Sequence, residues 1–355
     1  MRNFTKAISS VLAICMISVT LFGCSSAIST GDTPVTPTAS TSEAGNTASS
    51  GTSNSAKKDV SKLKIGLSMQ TLGGAYFATQ ESSFKEACAK QGITCFSANA
   101  NGDMTKQQSD IEDLISKGCD VIVINPKDPK GAIPATQECT AANIPVFIMD
   151  NTIDASADFI AMIQSNNYEL GNKVGIDLAE HFGDKAIKIG LLSGNQGNAL
   201  GVDRRMGVLK GVIETQLGKS NKTNVQVMTQ GWGNWNQEGG LSAAEDMLTA
   251  APEINCIVAE NDDMALGALK AVQAAKRNDI VIVGVDGQKE MYRLIKEGGQ
   301  ILATGRNDPK ECATLTLDTI LKWYQGGSVS RTVYLDPVSV SKKNVEKYYD
   351  ANASF

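Results

Sequence analysis

From about residue 64 onward, short apolar runs alternate with longer stretches in which apolar residues recur every three or four positions. Lys64-Ile65-Gly66-Leu67-Ser68-Met69 is a short buried-strand pattern, and residues 79–91 have helical spacing that stops at Gly92. Residues 93–97 read as a strand, followed by a helix over 106–117 ended by Gly118. Val121-Ile122-Val123-Ile124 is a β-branched run closed by Asn125-Pro126, a strand with its own stop signal. A helix over 133–143 leads to a strand at 145–149, and the cycle then restarts. Its helices are expected at 170–181, 203–217, 241–250, 264–276, 290–297 and 311–324. Between them lie strands at 187–192, 225–228, 256–259, 280–285 and 301–304.

Strict alternation of this kind implies parallel sheets covered on both faces by helices. The two series predict an α/β protein of two similar doubly wound parallel-sheet lobes. Ligands of such folds bind outside the carboxyl ends of the strands, so the residues just after each strand carry the functional information. The first strand is followed by Gln70, then Gly73, Gly74, Tyr76 and Phe77, and the strand at 145–149 by Asp150 and Asn151. In the second series the corresponding residues are Arg204 and Arg205, Trp232 and Trp235, Glu260 and Asn261, Asp286, and Arg306 and Asn307. Carboxylates, amides, an arginine and flat aromatics suit a sugar, whose hydroxyls donate and accept and whose C–H faces stack on rings. Each also has a plainer reading. An Asp or Asn after a strand often caps the next helix or makes an Asx turn, as Asp262 and Asp263 would before Met264. One of Tyr76 and Phe77 could belong to the core, and Arg205 to a solvated helix face.

The first sixty residues follow another rule. Arg2 and Lys6 precede an apolar stretch over 7–22, which is of signal-peptide length and short for a membrane span. It ends at Leu21-Phe22-Gly23-Cys24, which resembles a bacterial lipobox with a bulkier Phe22 than usual. The resemblance implies a leader over 1–23 and lipid chains on Cys24 that hold the protein at a membrane surface. Residues 24–60 are rich in Ser, Thr, Ala, Gly and Pro, the composition of a disordered tether. This layout suits an exported lipoprotein of a Gram-positive bacterium, on the outer face of the cytoplasmic membrane.

Composition narrows the function further. Of 355 residues, 42% are apolar, enough for sizeable cores, and the net charge of −5 gives no reason to expect nucleic-acid binding. There is one histidine, His181, and no C-x-x-C pair among eight cysteines, which excludes chemistry needing two imidazoles and argues against zinc ribbons and thioredoxin-like centres. Neither a G-x-S-x-G elbow nor a G-x-x-x-x-G-K-[ST] loop is present, and the Gly194–Gly201 segment does not fit the dinucleotide spacing. No enzyme activity and no cofactor or metal are therefore expected. The six cysteines after Cys24 read as buried small hydrophobes, with a disulfide such as Cys88–Cys95 as the alternative.

Ile124-Asn125-Pro126, Asn143-Ile144-Pro145-Val146, the segment from Glu260 through Ala268, and Val283-Gly284-Val285-Asp286-Gly287 together resemble the ribose-binding branch of the type 1 periplasmic binding proteins. The resemblance runs from about residue 62 to 336. It implies a three-segment hinge, with crossings near 163–166, 307–308 and 336–337. The lobes it implies are 62–164 plus 308–336 and 165–307 plus 337–355. Carried over by position, the family's ligand contacts fall on Gln70, Tyr76, Phe77, Asp150, Asn151, Arg204, Trp235, Asn261, Asp286 and Asn307. Asn151 and Trp235 stand where ribose binders carry arginine and phenylalanine, and the family's asparagine in the first loop is replaced by Gly73 and Gly74. Those departures look closer to glucose- and galactose-binding relatives, so a hexose or polyol stands beside a pentose. The implied role is that of a monomeric substrate-binding subunit of an ABC importer, passing a monosaccharide to permease subunits served by a cytoplasmic ATPase. A sensor presenting ligand to a chemoreceptor or histidine kinase is the alternative. A LacI-type regulator, which shares the fold, would need a DNA-binding headpiece where the leader and tether stand.

Overall fold

The expected strands and helices recur in order in the computed structural model, which describes residues 59–355. The leader, Cys24 and nearly all of the tether lie outside the described residues. The first series comprises β1 (Lys64–Met69), α1 (Ala75–Lys90), β2 (Thr94–Asn99), α2 (Met104–Ser116), β3 (Val121–Ile124), α3 (Ile133–Ala141), β4 (Val146–Met149) and β5 (Ala161–Ser165). The second runs through α4 (Asn167–Phe182), β6 (Ile187–Ser193), α5 (Ala199–Ser220), β7 (Val225–Trp232), α6 (Gln237–Ala250), β8 (Cys256–Ala259), α7 (Asp262–Ala274), β9 (Val281–Asp286), α8 (Lys289–Glu297) and β10 (Ile301–Arg306). The chain then returns through α9 (Pro309–Tyr324) and β11 (Thr332–Leu335) before ending in β12 (Ser339–Ser341) and α10 (Val345–Tyr348).

Two six-stranded sheets result, in the orders β11-β5-β4-β3-β1-β2 and β12-β10-β9-β8-β6-β7. The orders correspond strand for strand, so the lobes share one doubly wound topology. Period-two alternation builds each core. In β3, Val121 and Val123 enter the cluster on one face of the sheet, while Ile122 and Ile124 enter the cluster on the other. In the second lobe, β8 divides Ile257 and Ala259 from Cys256 and Val258 in the same way.

β5, β11, β12 and α10 were not anticipated from the sequence. β5 and β11 extend the first sheet in parallel, whereas β12 pairs antiparallel with β10, a correction to the all-parallel expectation. The cause is the path. The chain passes between sheets after β5, after β10 and between β11 and β12. After β5 and β10 a helix carries the chain away before the next strand returns. After β11 only residues 336–338 intervene, so the chain enters the second sheet from the end at which its parallel strands finish and must run against them.

The helices covering the second sheet set one site residue. α4 and α5 cross so closely that a Cβ on Gly171 would lie 2.1 Å from the carbonyl oxygen of Arg204, and one on Gly207 would lie 2.1 Å from that of Tyr168. This contact fixes the first turns of α5, where Arg204 is 3% exposed.

Candidate functional site

α1 begins at Ala75, four residues before the helical spacing becomes visible, because Gly74 adopts φ +99° and turns the chain into the helix. Tyr76 and Phe77 therefore stand on its first turn, close to the end of β1. Tyr76 Oη donates to Asp150 Oδ1 at 2.7 Å, and its ring meets Phe77 edge-on with centroids 5.3 Å apart. Phe77 also packs against the core of the first lobe. Asp150 follows β4 with φ +71°. Burial raises its carboxyl above the usual range, opposed by the Tyr76 hydroxyl, by the charge of Arg204, and by the Asn125 and Gln80 amides.

In the second lobe Arg204 is the centre. Its Nε donates to Asn167 Oδ1 at 2.9 Å, and its Nη1 donates to the Glu260 carbonyl at 2.8 Å and to Asp286 Oδ1 at 2.9 Å. Asp286 ends β9 at the position equivalent to that of Asp150 after β4. Its backbone has φ +149°, and burial pushes its carboxyl up to about 6 against the pull of Arg204. Trp235, at φ +61°, lies flat on Gly194, where a Cβ would come 1.9 Å from the indole Cε2. Among the described residues, eight non-glycine residues have positive φ, and Asp150, Trp235 and Asp286 are three of them. Such backbone persists only where surroundings over-determine it, and it concentrates at ligand sites.

The remaining nominated residues are placed as follows. Asn261 caps α7, its Oδ1 accepting from the Met264 amide at 3.0 Å and its Nδ2 donating to the Trp235 carbonyl at 3.2 Å. Asn307 Oδ1 accepts from Ser165 Oγ at 2.6 Å, which joins the ends of β10 and β5 where the chain crosses between sheets. Asn151 Nδ2 donates to the Pro126 carbonyl at 3.0 Å, and Gln70 is buried at the end of β1. A cleft of about 240 Å³ runs beside Asp150 and Asn151 and reaches Gln164, Asn167 and Asp203. That volume lies below the roughly 300–1,000 Å³ typical of drug-sized sites. The other eight nominated residues do not line it.

Two carboxylates prove to be positioning groups. Asp262 is not the cap that its place suggested. It is fully buried inside α7's first turn, and its carboxylate accepts from the Gly287 and Gln288 amides and from Thr304 Oγ1, at 2.7, 2.8 and 2.7 Å. It therefore anchors the turn that carries Asp286. Burial, followed by the charge of Asp286, pushes its carboxyl up to about 7. Glu260, 1% exposed, accepts from the Gly194 amide at 2.8 Å and pairs with Arg205 Nη1 at 2.6 Å. It fixes the glycine against which Trp235 rests, and Arg205 is its partner rather than a solvated face residue. The Glu260-Asn261-Asp262 run was the available signal, because three polar residues directly after a buried strand exceed what one cap needs.

Two doubly wound lobes of matching topology, joined where Ser165 meets Asn307, are the architecture of a two-lobed solute binder. The chain belongs to the family described as periplasmic binding protein domain, which it matches over residues 65–328. It is 31% identical over 287 residues to the ribose import binding protein of Bacillus subtilis, covering 79% of this chain and 87% of that protein. An ABC transporter solute-binding protein from Mycobacterium smegmatis with bound glycerol superposes with TM-score 0.73 at 32% identity, over 83% of this chain and 99% of that one. A solute-binding protein from Actinobacillus succinogenes with bound D-allose gives TM-score 0.73 at 28% identity, over 81% and 100%. These relatives are solute-binding proteins, not enzymes.

Proposed function

We propose that this protein is an extracytoplasmic substrate-binding lipoprotein of an ABC importer, which captures one monosaccharide between its lobes and delivers it to a permease. The observation that carries this reading is the pair of equivalent strand-end carboxylates. Asp150 is held by Tyr76 and Asp286 by Arg204, each from within its own lobe, and both are kept from bulk water. A carboxylate has about four acceptor sites, so each of the two keeps acceptor capacity for a neutral sugar's hydroxyls, and charged acceptors strengthen such bonds. Tyr76 and Trp235 would supply the flat faces. Gln70, Phe77, Asn151, Asn261 and Asn307 would complete the wall, with Asn261 acting mainly through its hold on Trp235.

The lobes would be 62–164 plus 308–336 and 165–307 plus 337–355, opening about the crossings and closing when ligand contacts are made from both sides. The permease would read the closed arrangement. Likeness to a ribose import binding protein and to a D-allose complex favours a ribo-configured ring, since D-allopyranose is the ribopyranose ring with one added hydroxymethyl group. The Leu21-Phe22-Gly23-Cys24 sequence supports a lipid anchor on Cys24. Thermal unfolding of the full chain with D-ribose, D-allose, D-glucose, myo-inositol or glycerol tests the reading. A raised melting temperature with a ribo-configured sugar is expected, and no shift with any of the five would overturn it.

A further inference from the structure

We propose that residues 353–355 form a latch that ties the second lobe to the aromatic wall of the first, with Phe355 as a positioning residue for Tyr76. After β12 the chain packs on the second lobe. There Tyr348 lies under the Arg306 guanidinium at 5.3 Å and Tyr349 under the Lys296 ammonium at 5.1 Å, and both rings join that lobe's core. Lys289, at the start of α8, then donates its Nζ to the Ala353 carbonyl at 2.5 Å. One residue later the partner changes lobe. Ser354 Oγ lies 3.1 Å from Thr79 Oγ1 on α1, and the Phe355 ring meets Tyr76 edge-on at 5.3 Å and 81°.

Three consecutive residues thus touch both lobes, adding non-covalent contacts to the three covalent crossings. Tyr76 is flanked by Phe77 and Phe355, each perpendicular to its ring, and its hydroxyl is the one that reaches Asp150. Rotation of the lobes about the crossings would separate Lys289 from Thr79 and Tyr76, so the segment must release one lobe before the cleft can open. Its contacts add to the stability of the closed arrangement and keep the Tyr76 phenol aimed at Asp150. One aromatic pair and one hydrogen bond lost together shift such a ratio about tenfold. The consequence for ligand exchange rests on the capture reading, whereas the latch itself does not.

Hydrogen exchange of the full chain, read by mass spectrometry with no sugar present, tests the latch. In Phe355→Ala, amides of the first two turns of α1 should exchange about threefold to tenfold faster than in wild type. Lys289→Ala lies on the other lobe and should deprotect the same turns, while Phe355→Tyr should restore wild-type exchange. Unchanged exchange in Phe355→Ala overturns the latch, and so does a response confined to Phe355→Ala with none from Lys289→Ala. Failure of wild type to bind any sugar would count against the capture reading alone, since this measurement uses none.

Discussion

Arg204 and Asp286 form an ion pair of 2.9 Å inside the second lobe, with side chains only 4% and 14% exposed. A pair so desolvated contributes little net stability while intact, but removing one partner strands the other. Arg204→Ala should therefore lower stability by about 3–5 kcal/mol in urea unfolding. Arg204→Lys should recover only part of this, because an ammonium cannot reproduce the fork that holds Asn167, Glu260 and Asp286 together.

Asp286→Ala removes the other partner with a different result. Arg204 keeps the Asn167 and Glu260 oxygens as acceptors, so the fold should survive. Binding of whichever sugar gives the largest thermal shift should weaken by about a hundredfold or more, the loss of a charged acceptor and its neighbours' alignment. Trp235→Ala should do the same by removing the stacking face. Calorimetric affinity equal to wild type in either variant would remove that residue from the site.

Asp262 and Asp286 set a dependence on pH that runs opposite to that of ordinary ion-paired carboxylates. Both carboxyls are raised in the folded state, to about 7 and about 6. The folded protein then binds more protons than the unfolded chain from about pH 4 upward, so these groups' contribution to stability falls as pH rises toward 7. Asp262→Asn removes one of the two titrations. Its stability relative to wild type should improve by at least about 1 kcal/mol between pH 4.5 and 7.5. Urea midpoints at the two pH values measure this, and a constant difference would contradict it.

The crossing of α4 and α5 tolerates no side chain at its centre. Gly207→Ala places a methyl group against the Tyr168 carbonyl, and separation of the helices would move Arg204 with them. A stability loss of about 1–3 kcal/mol is expected, together with weakened sugar affinity, although residue 207 touches no ligand group. Gly218→Ala, where a Cβ meets nothing within 4 Å, is the control and should leave affinity unchanged.

Cys24→Ala tests the anchor. The variant should appear in the culture medium and leave the detergent phase on partitioning, whereas the parent chain should remain membrane-bound. Continued partitioning into detergent would contradict lipidation at this residue.

The repeating β and α elements were legible because they are local: β-branched runs, helical spacing and Gly stops each act within a dozen residues. β5 and β11 were not, since Ala161-Met162-Ile163-Gln164-Ser165 and Thr332-Val333-Tyr334-Leu335 pair with partners 170 positions apart in the chain, and β5 also needs β4 beside it. The strand-end rule brought Asp150, Arg204, Trp235 and Asp286 forward, yet it could not separate those groups from Asp262 and Glu260, which act one layer behind. Nor does sequence show a positive φ at an aspartate or a tryptophan. The contact of Phe355 with Tyr76 spans nearly the whole folded chain and has no local signature.

The return of α9 and β11 to the first sheet has a bearing on the order in which the protein can be completed. The first lobe opens the folded chain, but its sheet lacks an edge strand until residue 335 has emerged, and α9 is needed to cover the core formed by Phe147, Ile163 and Leu317. The second lobe closes with β12 only a few residues later. Neither sheet can be completed until residues 332–341 are available to pair, so the two lobes are finished together rather than in the order in which they begin. Residues 332–341 thus act as a shared final clasp, completing the edges of both sheets within ten positions of one another.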